Sequence, residues 1–224
     1  MEVAEFDVLK ELRSVLSDGR KDTCIFDRLM ERFESFSSRQ VANLTEMRNR
    51  DNKRLKGLGW ERFCQWYLHV VCGYVDVWLW HEIPQPVKDH LSLGHSKVDN
   101  GIDIVARRTI EAPFIAVQCK YRADRKGAAK YKPKVTWTTI STFVGLCAVT
   151  GPWELHLVMT NCSGVSRKVA RGPRDRTMAY GTFKSLTRGQ CTIADVAQVV
   201  AAETANPIPR TMEELRAARL AKFG

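Results

Sequence analysis

The sequence has no long hydrophobic run, and this argues against a membrane-spanning helix. Crossing a bilayer takes about 20 consecutive apolar residues, and no apolar segment among the 224 residues approaches that length. The N-terminus, MEVAEFDVLKELR, is acidic and amphipathic, which is unlike a signal or transit peptide. The sequence therefore predicts a protein that is neither secreted nor embedded in a membrane.

Cysteine is present, but the patterns that pair thiols or bind metal are absent. The seven cysteines lie at positions 24, 64, 72, 119, 147, 162 and 191, and no CxxC occurs. An odd number of scattered cysteines, most of them inside apolar runs, is typical of free thiols in a reducing compartment such as the cytoplasm or the nucleus. The five histidines do not cluster with them at ligand spacing, which argues against a zinc site.

Positive charge, by contrast, is abundant and unevenly distributed. Lys and Arg number 35 against 25 Asp and Glu, which gives a net charge of +10. The first 50 residues hold ten acids and nine bases, so the excess lies in residues 51–224. Residues 120–134 and 167–188 each carry seven bases against one acid. One such run alone is usually a solvated surface, but two favour a polyanionic partner, and we predict nucleic acid.

Hydrophobic periodicity predicts a chain of helices and strands in mixed order. The predicted helices cover residues 4–17, a segment from Ile25, residues 37–56, 60–71, 135–151, 165–171, 192–204 and 211–222. The predicted strands cover residues 75–83, two runs within 100–122, and 153–160, and residues 87–100 and 172–190 are predicted loops. Within the helix at 135–151, we expect Trp137, Ile140, Phe143, Val144 and Cys147 to face the core. Three neighbouring strands followed by a helical crossover indicate a mixed sheet with helices on both faces.

The chain is predicted to divide into three regions. Gly57-Leu58-Gly59 interrupts the helical pattern and marks the first boundary. We expect an N-terminal helical region at residues 1–56, an α/β core at 57–190 and a C-terminal helical extension at 191–224. The N-terminal part is an appendage to the core in this interpretation.

The stretch from Asn100 to Arg122, NGIDIVARRTIEAPFIAVQCKYR, contains polar residues that a buried strand rarely holds. Side chains alternate along a strand, so Gln118 and Lys120 share one face and Cys119 lies on the other. An acid, Asp103, stands at the start of the preceding strand. Burying such groups without partners costs a few kcal/mol each, so a functional role is considered beside the ordinary ones of turn former, salt-bridge partner or solvated strand end.

This pattern resembles the PD-(D/E)xK nucleases, the restriction-endonuclease-like superfamily, and within it the Mrr-like subgroup, in which Gln replaces the usual second acid. The resemblance depends on GIDIVA, which contains Asp103, and on AVQCKY, which contains Gln118 and Lys120. The helix with Glu61 and the segment LVMTN at 157–161 support it. It covers about residues 57–190 and implies a central mixed β-sheet flanked by helices, with Ile102 where the family often has proline.

The resemblance also implies a metal-dependent DNA endonuclease. Asp103 would be the main anionic ligand of Mg²⁺, for which Mn²⁺ is expected to substitute. Gln118 and the backbone carbonyl of Cys119 would complete the site, and Glu61 would supply a second acid, with Glu111, Asp99 and Glu82 as alternatives. Lys120 would orient the attacking water or stabilise charge at phosphorus.

The two basic runs are assigned to DNA. The residues predicted to hold the DNA backbone are Arg122, Arg125, Lys126, Lys130, Lys132, Lys134, Arg167, Lys168 and Arg171. No P-loop or helicase motif occurs, so we expect a standalone nuclease or the nuclease module of a larger helicase or restriction-type protein, acting as a monomer or a homodimer. A non-catalytic DNA-binding or assembly protein that retains the fold, and a Holliday-junction resolvase, are the alternatives.

Overall fold

The computed structural model describes residues 7–18, 24–41, 47–94, 101–122, 134–166 and 172–187. For residues 37–41 and 47–54 it describes the backbone only. The helices are α1 Val8–Ser17, α2 Ile25–Val41, α3 Met47–Trp66, α4 Gln85–His90, α5 Trp137–Val149 and α6 Tyr180–Lys184. The strands are β1 Asp76–Leu79, β2 Ile104–Arg107, β3 Phe114–Lys120, β4 Trp153–Thr160 and β5 Asp175–Met178. A π-helical turn, Tyr67–Val71, follows α3, and a 3₁₀ turn, Trp80–Glu82, follows β1. Within the described ranges, none of the helices combines the length and apolar character that crossing a bilayer requires.

The strands form one five-stranded mixed sheet in the order β1-β2-β3-β4-β5. The pairs β1–β2 and β2–β3 are antiparallel. The pairs β3–β4 and β4–β5 are parallel. The predicted mixed sheet with flanking helices is therefore confirmed. Because β3 and β4 are parallel, the connecting chain must return along the sheet, and α5 begins near the edge at which β3 ends.

Each face of the sheet is covered by its own hydrophobic core. One core joins Ile115, Val117 and Cys119 of β3 to side chains of α1, α2, α3 and α6. The other joins Phe114 and Ala116 to side chains of α4 and α5. The predicted alternation of β3 between two faces is confirmed. The N-terminal helices thus share a continuous core with the sheet.

The predicted break at Gly57-Leu58-Gly59 is wrong, because α3 runs through all three residues. Gly59 is required by packing: a Cβ there would lie 2.5 Å from the Phe33 ring, so the missing side chain lets α2 approach α3. Among the described atoms, a Cβ at Gly57 would meet only Glu61, at 3.9 Å. Two glycines that look alike in the sequence therefore have different roles. The limits 1–56, 57–190 and 191–224 stay a prediction.

Substituting the two glycines separately tests this packing. Gly57→Ala is expected to raise the free energy of unfolding by up to about 1 kcal/mol, because alanine favours a helix over glycine. Gly59→Ala is expected to lower it by about 1–3 kcal/mol, because the buried Phe33 ring must shift. Chemical denaturation of both variants measures the difference, and equal effects would contradict the proposed close approach of α2.

Several other predicted elements are corrected. The strand predicted at 75–83 ends at Leu79 and continues as the 3₁₀ turn. The loop predicted at 87–100 contains most of α4, and the loop predicted at 172–190 contains β5 and α6. Val165, the predicted start of a helix, instead forms an isolated parallel bridge with Val135. The predicted helices at 192–204 and 211–222 lie outside the described residues.

The inward face predicted for α5 is correct except at its first residue. Ile140, Phe143 and Cys147 are buried, and Val144 packs against them. Trp137 is 46% exposed, so its predicted core position is wrong.

Candidate active site

Asp103 stands immediately before β2, and its backbone is held on both sides. Its N–H donates to the carbonyl of Val117 in β3 at 2.9 Å. Its carbonyl accepts from the N–H of Trp80 at 2.9 Å. Nearby, Gly101 has φ +116°, and a Cβ there would lie 3.1 Å from the backbone nitrogen of Phe143 in α5. The chain before Asp103 thus lies directly against α5 at a position that favours glycine.

The carboxylate of Asp103 meets Gln118 beside the end of β3. Its Oδ2 atom accepts hydrogen bonds from the side-chain amide of Gln118 and from the backbone N–H of Cys119. Asp103 is 5% exposed and Gln118 is 1% exposed. The structure therefore brings together two of the residues that the sequence assigned to the site, and both are buried. Gln118 presents its N–H group to Asp103 here, and a role as metal ligand would use the other terminal atom, the carbonyl Oε1.

Lys120 ends β3 two residues after Gln118, on the same face by strand alternation. Its side chain is only half-buried, whereas Gln118 is buried. Its carbonyl accepts a hydrogen bond from the hydroxyl of Thr160, the residue paired with it in β4, at 2.7 Å. Lys120 is thus held at the carboxyl end of β3, and it is partly exposed there.

The Cys119 thiol lies on the opposite face and interacts with the Cys64 thiol of α3. Burial raises the pKa of the Cys64 thiol. Burial also raises the pKa of the Cys119 thiol well above its usual value, with further contributions from Cys64 and from the charges of Asp103 and Glu61. Both thiols are therefore protonated at neutral pH. A role of Cys119 as a ligand would therefore fall to its backbone carbonyl, and this assignment stays a prediction.

Glu61 lies in α3, which packs against the face of the sheet that carries Cys119. The neighbouring Trp60 indole donates to the carbonyl of Met159 in β4 at 3.3 Å. One turn later, Cys64 reaches Cys119. The charges of Asp103 and Glu61 both raise the pKa of the Cys119 thiol, after burial and the Cys64 thiol. The assignment of Glu61 as second acid stays a prediction.

The alternative acids lie in other surroundings. The Glu82 carboxylate accepts from Arg62 at 2.5 Å and from the side-chain amide of Gln65 at 2.7 Å, which links it to α3. Glu111 is exposed in the turn between β2 and β3, and Asp99 lies outside the described residues. Among these acids, Glu82 already serves to join β1 to α3.

The donor set at the end of β3 fits a hard divalent cation. Asp103 offers a carboxylate, Gln118 an amide carbonyl and Cys119 a backbone carbonyl, and Mg²⁺ prefers such oxygen ligands. In the part of the chain that the structure describes, no group of three or more His, Cys, Asp and Glu side chains could hold a metal ion. The described residues thus offer the site few carboxylates, and water would have to complete the shell of a bound ion.

The predicted DNA-binding residues fall mostly outside the described ranges. Those outside are Arg125, Lys126, Lys130, Lys132, Arg167, Lys168 and Arg171. Arg122 and Lys134 are described, and both are exposed. The guanidinium of Arg122 donates to the hydroxyl of Thr139 in the first turn of α5 at 3.2 Å. These two cations therefore flank the segment that leads from β3 to α5.

Asn161 and Thr160 form a polar clamp on the end of β3 to which the sequence analysis assigned no role. The Asn161 amide accepts from the N–H of Arg122 at 2.8 Å and donates to the carbonyl of Arg122 at 2.6 Å. Both clamp residues are buried. The asparagine side chain extends the β3–β4 ladder by imitating a strand. The signal in the sequence was the polar pair Thr160-Asn161 directly after the apolar run of β4.

Removing the Asn161 side chain tests the clamp. Asn161→Ala is expected to lower the free energy of unfolding by about 1–3 kcal/mol, since two hydrogen bonds worth about 0.5–1.5 kcal/mol each are lost. Asn161→Asp keeps an acceptor for the N–H of Arg122 but places a carboxylate against its carbonyl, so it should destabilise at least as much. Urea denaturation of both variants measures this, and unchanged stability in Asn161→Ala would contradict the clamp.

Comparison with known proteins supports a nuclease fold. A family model described as restriction endonuclease matches residues 71–172. No curated protein and no solved structure gives a significant match. The matched segment contains β1 to β4, with Asp103, Gln118 and Lys120, and the five-stranded mixed sheet flanked by helices is consistent with this core. The match over residues 71–172 supports a restriction-endonuclease-like nuclease superfamily for this part of the chain.

Proposed function

We propose that this protein is a metal-dependent endonuclease that hydrolyses phosphodiester bonds in DNA. The observation that carries the proposal is the buried contact of Asp103 with Gln118 and the N–H of Cys119 beside the end of β3. This contact lies inside the segment that matches the restriction-endonuclease family. Taking a carboxylate out of water costs several kcal/mol, which hydrogen bonds offset only in part, and this supports a chemical role.

Asp103 and Gln118 would hold Mg²⁺ or Mn²⁺, with the carbonyl of Cys119 and bound water. When bound, the ion supplies charge neutralisation at the phosphate and lowers the pKa of a coordinated water. The neutral amide makes Asp103 the principal anionic ligand. Glu61 would add a second negative charge, directly or through water.

Lys120 would act on the reacting phosphate from the accessible edge of the same face. Its ammonium group donates hydrogen bonds to the attacking water or to a non-bridging phosphate oxygen, and so stabilises charge that develops in the transition state. The expected products carry a 5′-phosphate and a 3′-hydroxyl. The clamp formed by Thr160 and Asn161 keeps Lys120 and Arg122 in register with β4.

The basic segments at 120–134 and 167–188 would hold the DNA backbone, as the excess of positive charge favours. We also propose that the nuclease works as a homodimer or in association with a helicase or a specificity subunit. The proposed setting is a reducing intracellular compartment, consistent with the free cysteines among the described residues.

A panel of substrates tests the proposed activity. The purified protein is incubated with supercoiled plasmid, linear duplex and a four-way junction, each with Mg²⁺, Mn²⁺ or EDTA. We expect cleavage of duplex DNA with either metal and none in EDTA, with product ends that are ligatable and bear 5′-phosphate. Cleavage restricted to the junction would indicate a resolvase and overturn the proposal as stated.

One observation favours a second candidate, a DNA-binding protein without catalysis. The described residues offer no cluster of three carboxylate, histidine or cysteine side chains for a metal, and the site uses the neutral Gln118. In that case the same panel would show DNA binding with no cleavage under any metal. The two candidates therefore give opposite results in one experiment.

A further inference from the structure

Trp137 differs from every other tryptophan of the chain. The protein has six tryptophans. Trp60, Trp66, Trp78, Trp80 and Trp153 are each 6% exposed or less, whereas Trp137 is 46% exposed. A single exposed apolar residue is ordinary on a protein surface, so exposure alone carries no conclusion. The position and neighbours of Trp137 make it informative.

Trp137 lies near the carboxyl ends of β3 and β4, on the side of the sheet where the candidate active site is. It is the first residue of α5, and α5 begins where the chain returns from the end of β3. The guanidinium of Arg122, two residues after Lys120, contacts Thr139 in the same helical turn at 3.2 Å. Just before α5, Val135 bridges to Val165, which follows the clamp on β4. The start of α5 is therefore fixed beside the ends of β3 and β4.

Two exposed cations, Arg122 and Lys134, lie close to Trp137 in the fold or along the chain. Lys134 is exposed three residues before Trp137. Arg122 is exposed, its backbone is held by Asn161, and its side chain is held by Thr139. Exposed cations near an exposed aromatic side chain suit a ligand that has both phosphates and flat rings. Cations bind the backbone of nucleic acids, and an aromatic side chain stacks on bases.

An exposed indole can stack on an unpaired base more readily than on a paired one. In a duplex, each base face is stacked on its neighbours, and a base must leave the stack before a side chain can use its face. An unpaired nucleotide presents that face directly. We infer that Trp137 stacks on an unpaired base of the DNA strand that Arg122 and Lys134 hold at the active-site edge. This inference rests on the proposed function for the identity of the partner, and it names the part of the DNA that this surface recognises.

Tryptophan emission tests the inference without any cleavage. Wild-type protein and Trp137→Phe are titrated with the neutral quencher acrylamide in EDTA, alone or with a short single-stranded oligonucleotide or a blunt duplex of the same sequence. Because the other five tryptophans are buried, the quenching that Trp137→Phe loses belongs to Trp137. We expect single-stranded DNA to protect Trp137 from acrylamide and the duplex to leave Trp137 accessible to the quencher.

Affinity measurements in the same buffer complete the test. Trp137→Ala is expected to weaken binding of the single strand by about 5- to 150-fold, the range for loss of one stacked base. The matched control is Val149→Ala, which removes an exposed apolar side chain, 76% exposed, at the other end of α5. We expect this control to bind like wild type.

Three results would overturn the inference: equal quenching of wild type and Trp137→Phe without DNA, equal protection by duplex and single strand, or unchanged affinity in Trp137→Ala. Since EDTA prevents metal-dependent cleavage, these results are independent of the proposed activity. A protein that shows the expected protection but never cuts DNA would refute the proposed endonuclease and leave the role of Trp137 standing.

Discussion

Replacing Lys120 with methionine is expected to reduce the single-turnover rate of DNA cleavage by about 100- to 1,000-fold, the usual loss when one group that stabilises developing charge is removed. Methionine preserves most of the apolar stem of the half-buried lysine. The backbone contact that Lys120 makes, with its carbonyl accepting from Thr160, is unaffected by the substitution. The loss should therefore appear in the rate of the chemical step. The affinity for DNA should fall only by the contribution of one lost phosphate contact. Rapid-quench kinetics with end-labelled duplex at saturating protein measures the rate.

The matched control for Lys120 is Lys10→Met. Lys10 is an exposed residue of α1, so the variant loses the same charge at a site remote in the chain from β3. Its cleavage rate should equal that of wild type. If Lys120→Met also cleaves at the wild-type rate, the lysine does not act on the reacting phosphate and the assigned role is wrong.

Replacing Asp103 with asparagine is expected to remove metal binding while preserving the fold. The amide oxygen of asparagine can accept the hydrogen bonds that Gln118 and the N–H of Cys119 donate to Asp103. The negative charge is lost, and Gln118 is neutral, so the site keeps little attraction for a cation. Mutating a residue that only supports a metal ligand lowers the affinity for the metal by about 10- to 100-fold. Loss of the main anionic ligand should therefore weaken metal binding by at least about 100-fold.

Calorimetric titration with Mn²⁺ measures this loss directly and does not depend on activity. Asp89→Asn is the matched control, since Asp89 is an exposed residue of α4 whose carboxylate accepts from Gln85 at 2.8 Å. It should bind Mn²⁺ like wild type. A wild-type affinity in Asp103→Asn would show that the metal, if one binds, is held elsewhere.

Much of the sheet was predictable because its strands carry strong local signals. β4 was predicted with its observed limits, Trp153–Thr160, since an apolar run follows directly on Gly151-Pro152. The two faces of β3 followed from alternation alone. β5 was missed, because its four residues, DRTM, are mostly polar and half-exposed and show no apolar pattern. Its pairing with β4 comes from tertiary contact.

The errors in the helices have specific physical causes. Gly57 and Gly59 lower helix propensity, but packing of α3 against α2 and the sheet overrides that preference. Trp137 was predicted to be buried because its spacing from Ile140 and Val144 matches the core face of α5. At the first position of a helix, however, no preceding turn exists to cover the side chain. Periodicity cannot distinguish these cases, since it ignores where an element ends.

The residue types of the candidate site were predictable from the sequence. The contacts that hold these residues in place were predictable only in part. Strand alternation placed Gln118 and Lys120 on one face, and the resemblance to known nucleases supplied the pairing with Asp103 across two strands. The contact of Asp103 with Gln118 and the N–H of Cys119 is a tertiary fact that spacing alone does not give. The clamp of Asn161 on Arg122 joins residues 39 positions apart, so no local pattern could have revealed it.

Nicking of supercoiled plasmid by wild type, Asp103→Asn and Lys120→Met, compared side by side in Mg²⁺ and in EDTA, tests the central claim most directly. The claim is that Asp103, Gln118 and Lys120 form a metal-dependent nuclease centre at the end of β3. We predict nicking by wild type in Mg²⁺, none in EDTA, and at least about 100-fold less in either variant. Metal-dependent nicking that persists at the wild-type rate in both variants would contradict it.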